Sequence, residues 1–369
     1  MNKELLYIAN YRMPTERTHG LQVAKMCEAF AAEGIDVTLI VPQRGKVTQD
    51  VFDYYKLRQR FKIVYLPVWD LTGKIPGLGF FIQSATFAWA VKNYLKKTRY
   101  SGLIFARDQF SLFILSLFHY KHIVYEIHTM PKHVSYVHRK AYKAADQIIA
   151  ISQGLANALV LVGIPRDRII VVRDGVDLNI FQKNSPEISR EKLSLPTDKK
   201  IILYAGSFLR WKGVYTLAEA AAELPDDYVV VLIGGTRFDF QDLKRYVDKI
   251  GSRRLILLQQ VQQDIFKKYI SVSDVFVIPN SSMTDISRLY TSPLKFFEYL
   301  SSNKPIIATD LPSLHEIGDQ FDGVFYCRAD DPSALAEAIR SADSEKKYER
   351  DLSSFSWKAR VQKIVSSIR

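Results

Sequence analysis

Residues 206–213, GSFLRWKG, have the composition of a loop that binds an anion. Gly206 lets a ligand approach the backbone closely. Arg210 and Lys212 bring positive charge to the start of the next helix, where the helix dipole also favours anions. The loop matches neither GxxxxGK[ST] nor GxGxxG, so it is not a common nucleotide-binding pattern. On these residues alone, a diphosphate site and a surface loop with two solvated bases are equally good interpretations.

A second stretch whose residues could bind a ligand, TSPLKFFEY, covers residues 291–299. Ser292 is predicted to be the N-cap of a helix that has Pro293 at its first position. The free N–H groups at such a helix start bind phosphate. Glu298 lies among aromatic residues, where a carboxylate needs a partner. One such partner is a pair of ribose hydroxyls, and the alternative is a glutamate that faces solvent.

The first half of the chain offers two further candidates in the segments that follow apolar runs. His128 follows residues 123–125, and Gly20 precedes a predicted helix, where a phosphate or sugar fits against the backbone. A lone histidine is more often structural than catalytic, so both interpretations of His128 stay open. We predict no metal site, because the neighbouring histidines lack ligand spacing: His119, His122, His133 and His138.

Short apolar runs that alternate with helical patterns predict how these loops are positioned. Residues 5–9 and 37–41 are apolar runs with helical spacing between them and Gly34 at the helix end, which is one βαβ unit. The alternation continues through both halves of the chain. The other predicted strands are residues 63–66, 103–106, 123–126, 147–151, 169–172, 201–205, 229–233, 255–258, 275–278 and 306–308.

The alternation restarts at Ile201, after a polar segment with two prolines at residues 178–200. The sequence therefore predicts an α/β protein with two doubly wound, Rossmann-like domains, residues 1–180 and 181–355. The length of 369 residues suits two domains. Ligands of open parallel sheets bind outside the carboxyl ends of the strands. We expect the candidate loops to line a cleft between the two sheets.

The positive charge is concentrated in the first half of the chain. Residues 1–180 hold 24 Lys/Arg against 14 Asp/Glu, a net charge of +10, whereas residues 181–369 hold 27 against 25, a net charge of +2. Nucleic acid and anionic lipid both attract such a half, and a merely solubilising surface is the alternative. No nucleic-acid motif accompanies the basic half, so we expect lipid rather than nucleic acid.

One uncharged stretch of 17 residues, 75–91, precedes Lys92, Lys96 and Lys97. It is too short and too polar for a secure membrane span. It fits a buried helix as well as a helix in a membrane interface, with aromatic side chains inward and lysines at the headgroups. The two interpretations stay open.

Two cysteines, Cys27 and Cys327, exclude a disulfide framework, and the N-terminal residues lack the features of a secretory signal. We expect a cytoplasmic protein, peripheral on the inner face of the cell membrane if the basic half binds lipid.

In their order and spacing, these motifs resemble the retaining glycosyltransferases of the GT-B fold, and among them family 4. The resemblance covers nearly the whole chain. The segments that carry it are PTERTHGLQVAKMCEAFAAEGIDVTLIVP, YEIH, AISQGLANAL, IIVVRDGVD, YAGSFLRWKG, SPLKFFEYLSSNKPIIATD and FSWKAR. The last of these resembles a C-terminal helix, here about residues 356–369, that crosses back onto the first domain.

The resemblance implies roles for the candidate residues. Lys212 and Arg210 would neutralise the donor diphosphate, and Glu298 would hold the ribose. His128 would contact the transferred sugar or its leaving phosphate. The implied donor site also includes Gly20, Gly206, Ser207, Ser292, Leu294 and Lys295.

The sequence departs from the family pattern at three positions. Ser207 stands where an arginine is common, Tyr290 replaces the first glutamate of an E-x7-E pair, and Asp174 replaces an asparagine. A sugar contact is therefore missing or supplied by backbone groups.

By this resemblance the protein is a metal-independent transferase without a cofactor, and a nucleotide-diphosphate sugar is its co-substrate. The acceptor is expected to be a glycan or a lipid-linked molecule of cell-surface assembly. Two alternatives remain: a nucleotide-sugar 2-epimerase of the same fold, and a non-catalytic scaffold that binds sugar nucleotides.

Overall fold

The strands form two separate parallel sheets in the computed structural model, which describes residues 4–47, 49–75, 77–178 and 190–368. The described chain divides into two units. The first contains residues 4–47, 49–75, 77–151, 155–174 and 357–368, and the second contains residues 152–154, 175–178 and 190–356. Of the predicted linker, residues 179–189 lie outside the described residues, and Arg190–Leu193 form a 3₁₀ turn.

The sheet of the first unit has seven strands in the order β3-β2-β1-β4-β5-β6-β7. Their apolar runs are buried because helices cover a parallel sheet on both faces. The strand bounds are β1 Glu4–Ile8, β2 Asp36–Gln43, β3 Lys62–Pro67, β4 Leu103–Ala106, β5 Ile123–Ile127, β6 Gln147–Ala150 and β7 Ile169–Val171.

The sheet of the second unit has six strands in the order β10-β9-β8-β11-β12-β13. The bounds are β8 Lys200–Gly206, β9 Tyr228–Gly234, β10 Leu255–Leu258, β11 Val275–Ile278, β12 Ile306–Thr309 and β13 Val324–Cys327. All twelve predicted strands are confirmed, and β13 was not predicted. This strand lies at the sheet edge and is only partly buried.

Helices connect successive strands within each unit. Those of the first unit are α1 Thr18–Ala32, α2 Val51–Tyr55, α3 Leu78–Thr98, α4 Gln109–Leu117, α5 Tyr136–Ala144 and α6 Gln153–Leu161. The second unit has α7 Val214–Glu223, α8 Arg237–Ile250, α9 Gln263–Val272, α10 Leu294–Leu300, α11 Pro312–Gly318 and α12 Pro332–Ser341. The C-terminal helix α13, Trp357–Ser367, packs against α1 and belongs to the first unit.

Helix α3, which contains most of the uncharged stretch, has one buried and one exposed apolar side. One side buries Gln83, Phe87, Val91 and Leu95, while Phe81 and Trp89 on the other side stay exposed. In the part of the chain that the structure describes, no helix has the length and apolar character needed to cross a membrane.

Each sheet contains a point at which the strand order reverses. It lies between β1 and β4 in the first unit and between β8 and β11 in the second. Loops that leave neighbouring strands there diverge to opposite faces and open a crevice, which is where open α/β sheets bind ligands. Gly206 is the last residue of β8, and Arg107 follows β4 directly.

Candidate functional site

The second unit contains a buried lysine that has no anionic hydrogen-bond partner. Lys295 is only 8% exposed, and its Nζ has no hydrogen-bond partner among the described residues. The ammonium lies 3.6 Å from the ring centre of Tyr204. Burial and the nearby charge of Lys212 lower the pKa of Lys295 well below its usual value, although Glu298 opposes the shift.

Gly206 is exposed and lies beside this lysine. A Cβ at Gly206 would lie 3.5 Å from Lys295 Nζ and 3.3 Å from the Tyr204 hydroxyl. That hydroxyl donates to the carbonyl of Ser207 at 2.7 Å and so fixes the start of the loop. The φ of +146° at Gly206 is one that residues with a side chain rarely adopt. Gly206 thus gives a ligand access to the strand end beside a cation.

Lys212 is the second lysine of this region. Its Nζ lies 3.9 Å from the ring centre of Trp211, and burial lowers its pKa to about 7. Neither lysine forms an ion pair with a carboxylate in the described part of the chain, and two such neighbouring lysines favour a multiply charged anion. We call Lys212, Lys295, Tyr204 and Gly206 the lysine cluster.

Arg210 lies in the same turn but takes a different direction. Its guanidinium lies 4.6 Å from the ring centre of Tyr215 on α7. It lines a cavity with Asp239, Asp242 and Arg245. The structure therefore brings Lys212 and Lys295 together and places the Arg210 guanidinium on the ring of Tyr215.

The start of α10 differs from the prediction. The helix begins at Leu294 with Pro293 as its N-cap, so the predicted capping role of Ser292 is wrong. Pro293 has a ψ of 121°, which is an extended conformation outside the helix. Ser292 itself is buried at 6% exposure in the segment just before the helix.

Glu298 lies one turn into α10 and is half-buried. Burial raises its pKa, while a hydrogen bond from Gln263 Nε2 at 2.9 Å acts in the opposite direction. The carboxylate is thus held by an amide at one oxygen, Oε1. Tyr290, at the position of the missing glutamate, is the last residue of a π-helical turn, Ile286–Tyr290, and is half-buried.

In the first unit, His128 follows β5 and is bound by the carboxylate of Glu126. His128 Nε2 lies 2.6 Å from Glu126 Oε1. Burial and Arg107 lower the pKa of His128, so its ring is neutral at pH 7 although Glu126 opposes the shift. A neutral ring that faces a carboxylate donates from Nε2, which leaves Nδ1 as an acceptor.

Glu126 is the centre of a buried network of charges. Its Oε2 accepts a hydrogen bond from Arg360 of α13 at 2.8 Å, and Arg107 Nε lies 3.5 Å from Oε1. Burial alone would raise the pKa of Glu126, but Arg360 and Arg107 hold it below its ordinary range. We call Glu126, His128, Arg107 and Arg360 the glutamate cluster.

Asp174 extends the glutamate cluster. It accepts from Gln22 Nε2 at 2.8 Å, and its Oδ1 lies 3.9 Å from Arg360. From the sequence, Asp174 was identified only as a departure from the family pattern, and Arg107 and Arg360 were not identified as site residues. The position of Arg107 directly after a strand was the available signal. Arg360 is 234 positions from Glu126, and no local pattern connects them.

Gly20 lies inside α1 and faces protein atoms. A Cβ at this position would be 2.3 Å from the Tyr55 hydroxyl and 2.4 Å from Thr15 Cγ2. The space on the side of its missing side chain is therefore occupied, and the expected donor role of the Gly20 backbone stays a prediction. Tyr55 and Thr15 fill that space, and the glycine permits their packing.

Comparison with known proteins places both halves in one group of enzymes. Residues 20–180 match the family described as Glycosyltransferase Family 4, and residues 199–343 match the family described as Glycosyl transferases group 1. The D-inositol 3-phosphate glycosyltransferase of Mycolicibacterium smegmatis is 28% identical over 243 residues, 60% of this chain and 52% of that protein.

Two other relatives extend the comparison. The putative teichuronic acid biosynthesis glycosyltransferase TuaC of Bacillus subtilis is 27% identical over 210 residues, 56% of this chain and 49% of that protein. The chain thus spans about half the length of these curated relatives. The crystal structure of HepE of Anabaena, in complex with UDP, is similar in fold, with a TM-score of 0.74, 18% identity and 99% coverage of each chain.

Proposed function

The chain belongs to the group 1 glycosyltransferases of the GT-B fold, and from this premise we propose that it is a retaining glycosyltransferase. It transfers a sugar from a nucleotide-diphosphate sugar to a hydroxyl of a glycan or a lipid-linked acceptor. The presence of UDP in the similarly folded HepE supports a nucleoside diphosphate as the leaving group.

The unpartnered ammonium of Lys295 is the observation that carries this proposal. A buried amine beside an open glycine, with a second lysine next to it, suits the diphosphate of a donor. Fixed positive charge stabilises the negative charge that develops on a leaving diphosphate. Lys212 and Lys295 provide this charge, so we propose that transfer needs no metal ion.

The donor ribose is proposed to bind at Glu298. A carboxylate accepts hydrogen bonds from two vicinal hydroxyls, and Gln263 already holds one of its oxygens in place. Ser207, Ser292 and Leu294 remain proposed neighbours of the donor. Tyr290 stands in place of the first glutamate of the family's E-x7-E pair. We therefore propose that the donor site lacks the sugar contact that this glutamate would make.

We propose front-face departure as the mechanism. The bond from the anomeric carbon to the phosphate oxygen breaks, the acceptor oxygen bonds to the same face, and the hydroxyl proton passes to the leaving phosphate. No residue forms a covalent intermediate. His128, neutral and with Nδ1 as an acceptor, is proposed to bind a sugar hydroxyl.

A thermal-shift screen with UDP, GDP, ADP, dTDP and CMP tests the donor assignment. A nucleotide at 100 times its dissociation constant adds about 2.7 kcal/mol of stability. One nucleoside diphosphate should shift the protein selectively, and Lys212→Ala should abolish the shift. Lys244→Ala, an exposed lysine of α8, is the matched control and should keep it.

The stereochemistry is read from the anomeric proton of the product by NMR with the matching sugar nucleotide. Retention supports the proposal. An inverted product, or no shift with any nucleotide, contradicts it.

We further propose that the acceptor belongs to cell-surface polysaccharide or glycolipid assembly and that the chain works in the cytoplasm, peripheral to the membrane. The name of the TuaC relative supports a polymer of the cell surface. The net charge of +10 on residues 1–180 supports an anionic membrane surface as a partner.

A further inference from the structure

Helices α3, α4 and α5 form a continuous layer in the first unit. Each connects a strand to the next one in the same direction along the sheet, from β3 through β4 and β5 to β6. Right-handed crossovers in one direction place their helices on one face of the sheet. The three helices also pack side by side, α3 on α4 and α4 on α5.

This layer carries no exposed acidic residue. Residues 71–145 contain eleven Lys/Arg, and their only acidic residues are Asp108 and Glu126. Both carboxylates are buried, at 6% and 2% exposure. The outward charge of the layer is therefore entirely positive along the described helices.

Large apolar side chains follow the outer side of α3. Leu78, Phe81 and Trp89 are 57%, 55% and 50% exposed. Their spacing of three to eight residues places them on one stripe of the helix, and Lys92 and Lys96 continue the same stripe toward the C-terminus. A soluble helix normally turns such rings inward.

The end of α4 extends the stripe. Phe118 is 44% exposed, and its ring lies 6.2 Å from that of Trp89. Lys92 Nζ lies 4.5 Å from the centre of each of these two rings. An ammonium over exposed aromatic rings has the arrangement of a side chain at a membrane interface. We call this outer side of α3 with the end of α4 the aromatic-basic face.

We propose that the aromatic-basic face docks on the surface of an anionic lipid bilayer. The rings enter the boundary between headgroups and acyl chains, and the lysines contact anionic headgroups. The positive charge of this face favours an anionic bilayer over a second copy of the chain as the binding partner. A two-fold contact would place the same positive face against itself, whereas an anionic bilayer complements it.

The inference deepens the proposed function, because it rests on a membrane-linked acceptor for its biological purpose. Docking through α3 and α4 holds the first unit at the layer in which a lipid-linked acceptor lies. The docking itself needs no catalysis, so it is measured without donor or acceptor.

Flotation of the full chain with vesicles tests the docking. The probes are vesicles of phosphatidylcholine alone and of an equimolar mixture with phosphatidylglycerol. The chain should bind the mixed vesicles at least about tenfold more tightly, and added salt should weaken this binding. The double variants Phe81→Ser/Trp89→Ser and Lys92→Glu/Lys96→Glu should each lose at least about tenfold of the affinity.

The matched control is Phe238→Ser on α8, a helix of mixed charge on which Phe238 is 80% exposed. It should bind as the parent does. Equal binding of the parent to both kinds of vesicle overturns the proposal, as does unchanged binding of either double variant. A parent dimer that Phe81→Ser/Trp89→Ser converts to monomer in sedimentation would overturn it in favour of self-association.

Nucleotide-dependent thermal shifts of the same variants separate the two proposals. The double variants should keep the parent's nucleotide shift and melting temperature, because the changed residues are on the surface. If vesicle binding behaves as proposed while no nucleotide stabilises the parent, the proposed function fails and the docking surface stands.

Discussion

The glutamate cluster of the first unit and the lysine cluster of the second treat buried charge in opposite ways. Glu126 has two guanidiniums and an imidazole around it, and they hold its pKa below the ordinary range. Lys295 has an aromatic ring and a second lysine around it, and its pKa falls well below its usual value. The carboxylate of the first cluster has its counter-charges within the folded chain, whereas we propose that the second cluster gains its counter-charge from a bound anion.

From this difference we infer that the charges of the glutamate cluster stabilise the fold, and we propose that those of the lysine cluster bind a ligand. Burying an ion is costly unless a partner compensates it. The glutamate cluster meets this requirement with residues of the chain itself, and it ties α13 to β5. The lysine cluster leaves the requirement unmet in a crevice at the strand-order reversal, which is the usual place for a ligand.

We expect the largest effect from a substitution in the glutamate cluster. Arg360→Met leaves Glu126 and the carbonyls of Val172 and Arg173 without their partner. The free energy of unfolding of the first unit should fall by about 3–5 kcal/mol. Hydrogen exchange of the β5 amides measures it. Lys363→Met, an exposed position of the same helix, is the control, and a loss as small as that of the control would contradict the comparison.

The corresponding change in the other cluster has the opposite sign. Lys295→Met removes an unsatisfied buried amine and keeps the length of the side chain. The free energy of unfolding of the second unit should rise by about 1–3 kcal/mol, while nucleotide binding is lost. Hydrogen exchange of the β8 amides gives the stability, and titration calorimetry gives the binding. Lower stability in this variant would show that the chain itself satisfies the lysine.

We expect a smaller effect at Gly20, which packs against protein atoms, whereas Gly206 lies beside Lys295. Gly20→Ala places a methyl group against Tyr55 and Thr15, so we expect a loss of about 1–3 kcal/mol from overpacking. Nucleotide affinity should not change. Urea denaturation compares it with Gly73→Ala, where a Cβ meets no atom within 4 Å. Weaker nucleotide binding by Gly20→Ala at unchanged stability would contradict this expectation and support a role of Gly20 in donor binding.

Local sequence patterns were sufficient for most of the fold. Apolar runs located twelve strands, because buried parallel strands are apolar throughout. The strand β13 was missed because an edge strand is only partly buried and has a weaker pattern. The N-cap of α10 was misplaced because Ser292, a good capping residue, is followed by a proline that itself takes the cap position.

The two segments that carry the candidate site of the second unit could be predicted from the sequence, but the contacts between their side chains could not. Lys212 and Lys295 were both identified, yet their approach to each other and to Tyr204 depends on how α10 packs on β8. Arg210 points to Tyr215, a contact that residue types alone do not reveal. The pairing of Glu126 with Arg360 spans 234 positions and is fixed only by the folded chain.

The most direct test of the central claim is proton uptake on nucleotide binding. Burial lowers the pKa of Lys212 to about 7, so this lysine is mostly neutral at pH 8, and burial shifts the pKa of Lys295 in the same direction. A bound diphosphate favours the charged amines and raises their pKa values. Binding must then take up protons, and affinity must fall as pH rises above 7.

Titration calorimetry of UDP, or of whichever nucleoside diphosphate the thermal screen selects, at pH 8 in buffers of different ionisation enthalpy measures this uptake. We predict a net uptake by the parent that Lys244→Ala retains and Lys212→Ala reduces. Tight binding without proton uptake would contradict the account, because the lysines would then already be charged in the free protein.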